Sequence, residues 1–174
     1  MKVTLENYQE LANSTMADLG SVKDNFAHMA LGIASEFFEL QKAGETRDEV
    51  NIIEEHGDLN WFVSGVCHIF DFNFKYLYNE SVEDLTQDYF STGEICTISK
   101  GLLAYGKEVD KDHLRKNLLF LLGYLKTIAA YEEFDYIQSL QKNIDKLRAR
   151  FPNKFNCEDA INRAIDNERT ILEN

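Results

Sequence analysis

The chain has 174 residues, and its 18 Lys and Arg stand against 30 Asp and Glu, a formal charge of −12 at pH 7. That length suffices for one domain with a real core, and that charge argues against a general nucleic-acid binder, whose footprint is basic. Hydrophobic residues at 44% and charged residues at 28% exclude a chain that is disordered or fibrous throughout.

Pro152 is the one proline, which suits long uninterrupted helices better than proline-punctuated turns. The longest strongly apolar run, Leu118 to Leu122, is far shorter than the roughly 20 residues of a membrane helix, so no span and no membrane partner are expected. The opening MKVTLENYQE has no apolar stretch for a signal-peptide core, and Cys67, Cys96 and Cys157 are odd in number and scattered. The expectation is a cytoplasmic protein whose cysteines are small core residues.

Taken in order, Leu5 to Leu19 reads as a short helix. Phe26, Met29, Ala30, Ile33, Phe37 and Leu40 then follow steps of three and four, one face of a helix ending near Ala43-Gly44. From about Asp48 a second helix carries Ile52, Ile53, Leu59, Phe62, Val63, Val66 and Phe70 in the same rhythm, and the two should pack antiparallel. A Tyr/Phe-rich stretch from Phe72 to Tyr78 leads to Ser81-Val82-Glu83-Asp84, which reads as a helix start. Helices follow over Thr92 to Ala104, Lys111 to Tyr131, Glu133 to Arg150 and Cys157 to Leu172, and nothing reads as a strand.

The fold class is therefore all-α, an antiparallel helical bundle in a single domain over residues 1–174. Glu36 to Lys42 echoes Glu94 to Lys100, and placing Glu55 opposite Asn117 puts Asp58 opposite Phe120. On that reading an acidic helix pair over about 22–71 precedes a degenerate copy over about 92–141 that lacks three of the four acids, and a basic segment occupies 142–174.

The sharpest chemical feature is Glu36-x-x-Glu39 followed by Glu55-x-x-Asp58. A three-residue step turns a helix by about 300°, so each pair of carboxylates lies on nearly one face, at the edge of the apolar stripe. Like charges there repel and lose solvation, an arrangement that calls for a counter-charge. Four carboxylates with no cysteine or suitably placed histidine favour Mg²⁺ or Mn²⁺ over Zn²⁺, because oxygen donors suit hard cations. A di-iron bundle would want Glu-x-x-His on each of two helices, and the chain has none. The bland alternative is acids on solvated helix faces of a very acidic chain.

In their contexts Leu31-Gly32-Ile33-Ala34-Ser35-Glu36-Phe37-Phe38-Glu39-Leu40 and Glu55-His56-Gly57-Asp58-Leu59-Asn60-Trp61-Phe62, these acids resemble the signature of the MazG-like, all-α nucleoside triphosphate pyrophosphohydrolases. Tyr8-Gln9-Glu10-Leu11-Ala12 and the run from Asn143 to Phe155 are similar to segments of phage-type members. The departures are His56-Gly57 inside the second acidic motif, Ser35 before the first acid, and the extra length from about Thr92 to Gln141. That extra length resembles the dimeric dUTPase arrangement, a catalytic half joined to a ligand-poor half as an internal pseudo-dimer.

The resemblance implies a four-helix core around the site and hydrolysis of a (d)NTP to the monophosphate and pyrophosphate. It implies Mg²⁺, or Mn²⁺, held by Glu36, Glu39, Glu55 and Asp58, one of them positioning or activating the attacking water. A homo-oligomer, a dimer first, is expected, in the host cytoplasm if the source is a phage. A triphosphate also needs cations, and among residues 142 to 154 Lys142, Lys146, Arg148, Arg150 and Lys154 face one acid, Asp145. Lys146 and Arg150 share a helix face and could clamp phosphate, or merely complement a helix dipole. Lys42 and Lys100 could reach phosphate or remain solvated. Trp61, three residues after Asp58, could stack on a base or fill core, and Asn25 and His28 resemble an N-x-x-H feature of phage-type members. Competing readings are a hydrolase of a signalling nucleotide such as guanosine tetraphosphate, a non-catalytic nucleotide-binding protein, and a helical scaffold without ligand.

Overall fold

Helix formation runs through the whole of the computed structural model, which describes residues 1–83, 88–151, 158 and 165–173. Among these the chain forms α1 (Tyr8–Asn13), α2 (Val22–Thr46), α3 (Glu49–Phe70), α4 (Phe74–Glu80), α5 (Asp88–Tyr105), α6 (Lys111–Tyr131), α7 (Tyr136–Arg150) and α8 (Ile165–Glu173), with no strand. None of the described helices is long and apolar enough to cross a membrane.

Local chemistry sets the main boundaries. Ser21 opens α2, its side chain accepting the Asp24 amide, and Arg47 closes the helix in the left-handed region at φ 55°. Asp48 then accepts the Asn51 amide and starts α3, so α2 and α3 form an antiparallel hairpin with a two-residue turn. Their apolar stripes meet: Phe26, Met29, Ile33, Phe37 and Leu40 are buried on α2, and Ile52, Leu59, Val63, Val66 and Phe70 on α3. The α5–α6 hairpin packs on this pair, α5 against α2 and α6 against α3, closing a four-helix core. From α6 come Leu114, Leu118, Leu121, Leu122 and Leu125, all fully buried. Burying each such side chain is worth about 1.5–3 kcal/mol, several times any difference in helix propensity, so packing rather than propensity holds the bundle. Helix α7 lies against α3, and α8 touches both.

Several expected boundaries differ from the observed ones, among them the start of α7, at Tyr136 rather than Glu133. The first helix covers only Tyr8–Asn13 rather than Leu5 to Leu19. Its last carbonyls are satisfied from outside: the Ser14 and Thr15 hydroxyls donate to Leu11 and Ala12, and the Trp61 indole donates to Ala12 as well. The Phe72 to Tyr78 stretch contains α4, started by Asn73, and Ser81 ends that helix in extended conformation instead of starting the next. Helix α5 begins at Asp88, ahead of Thr92. The helix expected from Cys157 is described over Ile165–Glu173, while Cys157 and the motif residues Pro152 to Phe155 lie outside the described residues.

In the second hairpin, the positions that echo the acids do not form an acidic cluster. Glu94 pairs with His113 at 3.1 Å, Asn117 donates to the His113 carbonyl, and Phe120 lies under the Lys116 ammonium. Cys67 is buried in the core, where burial pushes its thiol far up, and Cys96 is half-buried with its thiol donating to the Ala30 carbonyl.

Candidate metal centre

The α2–α3 hairpin brings its acids together as the three-residue spacing requires. One carboxylate oxygen each from Glu36, Glu39 and Glu55 lies within 4.8 Å of the others, and the cluster contains no histidine or cysteine. Glu36 and Glu55 are half-buried, whereas Glu39 is exposed and accepts a hydrogen bond from the Ser35 hydroxyl at 3.2 Å. Burial pushes the carboxyls of both Glu36 and Glu55 up, and the negative charge of Asp58 adds to the rise. The hydrogen bond between them raises Glu55 and lowers Glu36.

Asp58 has a different partner. Lys146 on α7 is 1% exposed, and its ammonium donates to Asp58 Oδ1 at 2.7 Å, to Asp58 Oδ2 at 2.6 Å and to Glu54 Oε1 at 3.0 Å. The Asn143 side-chain amide also donates to Asp58. Burial pulls the Lys146 ammonium down, but the charges of Asp58 and Glu54 outweigh it and the net shift is upward, so this lysine stays charged. Gly57 permits the approach: a Cβ there would lie 2.9 Å from the Asn143 Cβ and 3.0 Å from the Ser139 carbonyl oxygen.

His56, next to Gly57, locks α3 to α6 and α7. Its Nε2 lies 3.1 Å from the Leu125 carbonyl, which can only accept, so Nε2 carries the proton and Nδ1 is the acceptor, 2.7 Å from the Ser139 hydroxyl whose one proton is also within reach of the Tyr136 carbonyl. The Asn60 amide donates to the His56 carbonyl, and the Tyr136 hydroxyl donates to Asn60 Oδ1 at 2.5 Å. Burial drives the imidazole down to about 3, so it is neutral. His56 is thus a structural tie between three helices.

A cleft of about 420 Å³ is lined by the acids Glu36, Glu39, Glu54, Glu55 and Asp58 together with Trp61, Phe62 and His28. No protein-family model, curated protein or solved structure matches this chain.

The remaining candidates divide by position. Trp61 lines the cleft and also anchors the end of α1, its indole N–H shared by the Ala12 carbonyl and the Thr15 hydroxyl, each at 3.0 Å. His28 lies edge-on to Phe62, its Nδ1 is buried without a hydrogen-bond partner, and burial lowers its pKa. Arg150 lines the cleft with its guanidinium forked onto Glu168 of α8 at 2.7 and 2.6 Å. Lys146 is brought to the acids, but its three hydrogens go to carboxylate oxygens, which makes it their counter-charge rather than a phosphate clamp. Asn25 bonds to the turn before α2, accepting from the Leu19 amide and donating to Asp18. Lys42 and Lys100 are exposed and do not line the cleft. Sequence reasoning passed over Glu54 and Asn143; the only signal was their nearness in sequence to Glu55 and Lys146.

Proposed function

We propose that the chain is a Mg²⁺-dependent nucleoside triphosphate pyrophosphohydrolase. The observation that supports this best is the convergence of Glu36, Glu39 and Glu55 from two helices in a cleft that Trp61 and Phe62 also line. The donor set fits a hard divalent cation, Mg²⁺ or Mn²⁺: every ligand atom is a carboxylate oxygen, and the half-buried Glu36 and Glu55 are both raised by burial and by neighbouring negative charge, a cost that a cation would offset. Glu36, Glu39 and Glu55 would hold the ion, with Asp58 beside them on Lys146. Bound there, it would supply positive charge for polyphosphate oxygens and lower the pKa of a water.

The cleft is of the size that holds a small ligand. Trp61, Phe62 and His28 offer a face for a nucleobase, and Arg150 can exchange the Glu168 carboxylate for phosphate oxygens, which present the same geometry to a guanidinium. In the reaction the oxygen of a water bonds to phosphorus as the α–β anhydride bond breaks, and pyrophosphate leaves with the electron pair. Glu39, the exposed acid of the cluster, would accept the water's proton.

The test is pyrophosphate release from a panel of standard and modified (d)NTPs with Mg²⁺, Mn²⁺ or EDTA. Release should need the metal and fall by about 10²-fold or more in Glu39→Gln. Release that survives EDTA, or that the variant retains in full, overturns the reading. Silence across the panel with nucleotide-induced thermal stabilisation would favour a signalling-nucleotide hydrolase or a binding protein.

A further inference from the structure

Beside the Glu36, Glu39 and Glu55 cluster, the cleft holds a second pair of acids, Glu54 and Asp58, whose counter-charge is built into the chain. The Lys146 ammonium stands between them, 1% exposed, and all three of its hydrogens are used on their oxygens. Asp58 accepts a further hydrogen bond from Asn143, so both of its oxygens are engaged from α7. A pair of catalytic dications needs carboxylates that can turn toward both, typically with the ions about 3.5–4 Å apart. Asp58 is not free to do this, and a second dication near it would face a fixed positive charge in a partly desolvated site.

Resting on the metal reading above, we propose that Lys146 Nζ occupies the place of a second divalent cation, so that the cleft takes one divalent ion per chain, at Glu36, Glu39 and Glu55. Lys146 is then a positioning residue: it holds Asp58 and leaves the three glutamates as the ion's only carboxylate ligands.

The experiment is a count of bound Mn²⁺ on the full chain without nucleotide, by electron paramagnetic resonance of the free ion and by calorimetry. The wild-type chain should bind one Mn²⁺, Glu36→Gln should bind it at least about tenfold more weakly, Lys146→Arg should still bind one, and Lys146→Gln should bind two. Asp58→Asn keeps the test open should Lys146→Gln not fold, and it should retain the single ion because Asp58 is not a ligand. Two ions on the wild-type chain, one ion on a folded Lys146→Gln, or loss of the ion in Asp58→Asn would each overturn the proposal while leaving a metal-dependent hydrolase standing. No Mn²⁺ on the wild-type chain would overturn the metal reading itself.

Discussion

Glu55 and His56 are neighbours on α3 with opposite electrostatic demands. Glu55 has a carboxyl raised above its ordinary 4.5 by burial and by the shared hydrogen bond with Glu36. Above that pH the folded chain therefore binds more protons than the unfolded one, so this group's contribution to stability falls as pH rises from 4.5 through neutrality. In EDTA, Glu55→Gln should flatten that fall in urea unfolding, because the amide donates to Glu36 without titrating. His56 is held down to about 3 from an ordinary 6.5, so the stability linked to its neutral form is complete above 6.5 and is lost as pH drops toward 3. The slope is up to about 1.4 kcal/mol per pH unit, and it should be absent from His56→Gln, so that the stability difference between wild type and the variant carries it on going from pH 7 to 5. Between 4.5 and 6.5 the two residues act in opposite senses, so each variant has to be compared with its own parent at every pH.

At the scale of elements, the seat of α7 on α3 depends on one missing methyl group. Gly57→Ala would place a Cβ against Asn143 and the Ser139 carbonyl, neither of which is the far end of a flexible chain. Chemical denaturation should show a loss of about 1–3 kcal/mol, the usual cost of overpacking. Gly44→Ala on α2 is the control: nothing lies within 4 Å of its added Cβ, and the helix should gain roughly 0.5–1 kcal/mol. Element boundaries were legible where local chemistry decides them. Ser21, Asp48 and Asp110 each cap the helix that follows, and the three- and four-residue rhythm marks α2, α3 and α6, whereas α7 starts at Tyr136 on the Asp135 cap rather than at Glu133, which lies in the left-handed region at φ 58°. The short α1 was not legible, because a tryptophan 49 residues downstream takes its terminal carbonyl. Nor was α4, whose aromatic run lacks a clear apolar face until Phe74 and Leu77 are buried.

For the molecule as a whole, an ion that binds only the folded cluster must raise global stability by mass action. At a hundredfold excess over its dissociation constant the gain is about 2.7 kcal/mol, visible as a rise in Tm with Mg²⁺ that EDTA reverses and Glu36→Gln lacks. No rise in the wild-type chain would count against a cation site. The sequence by itself determined the helical class, the stripes that close the bundle, and the placing of two acids on one face of each of two helices, because periodicity and capping act over three or four residues. Tertiary structure alone decided how those acids are neutralised. Lys146 reaches Glu54 and Asp58 across 92 and 88 residues of chain, and Arg150 meets a carboxylate from α8. Such pairings follow from which helix faces meet, and here that depends on a glycine small enough to let α7 approach α3.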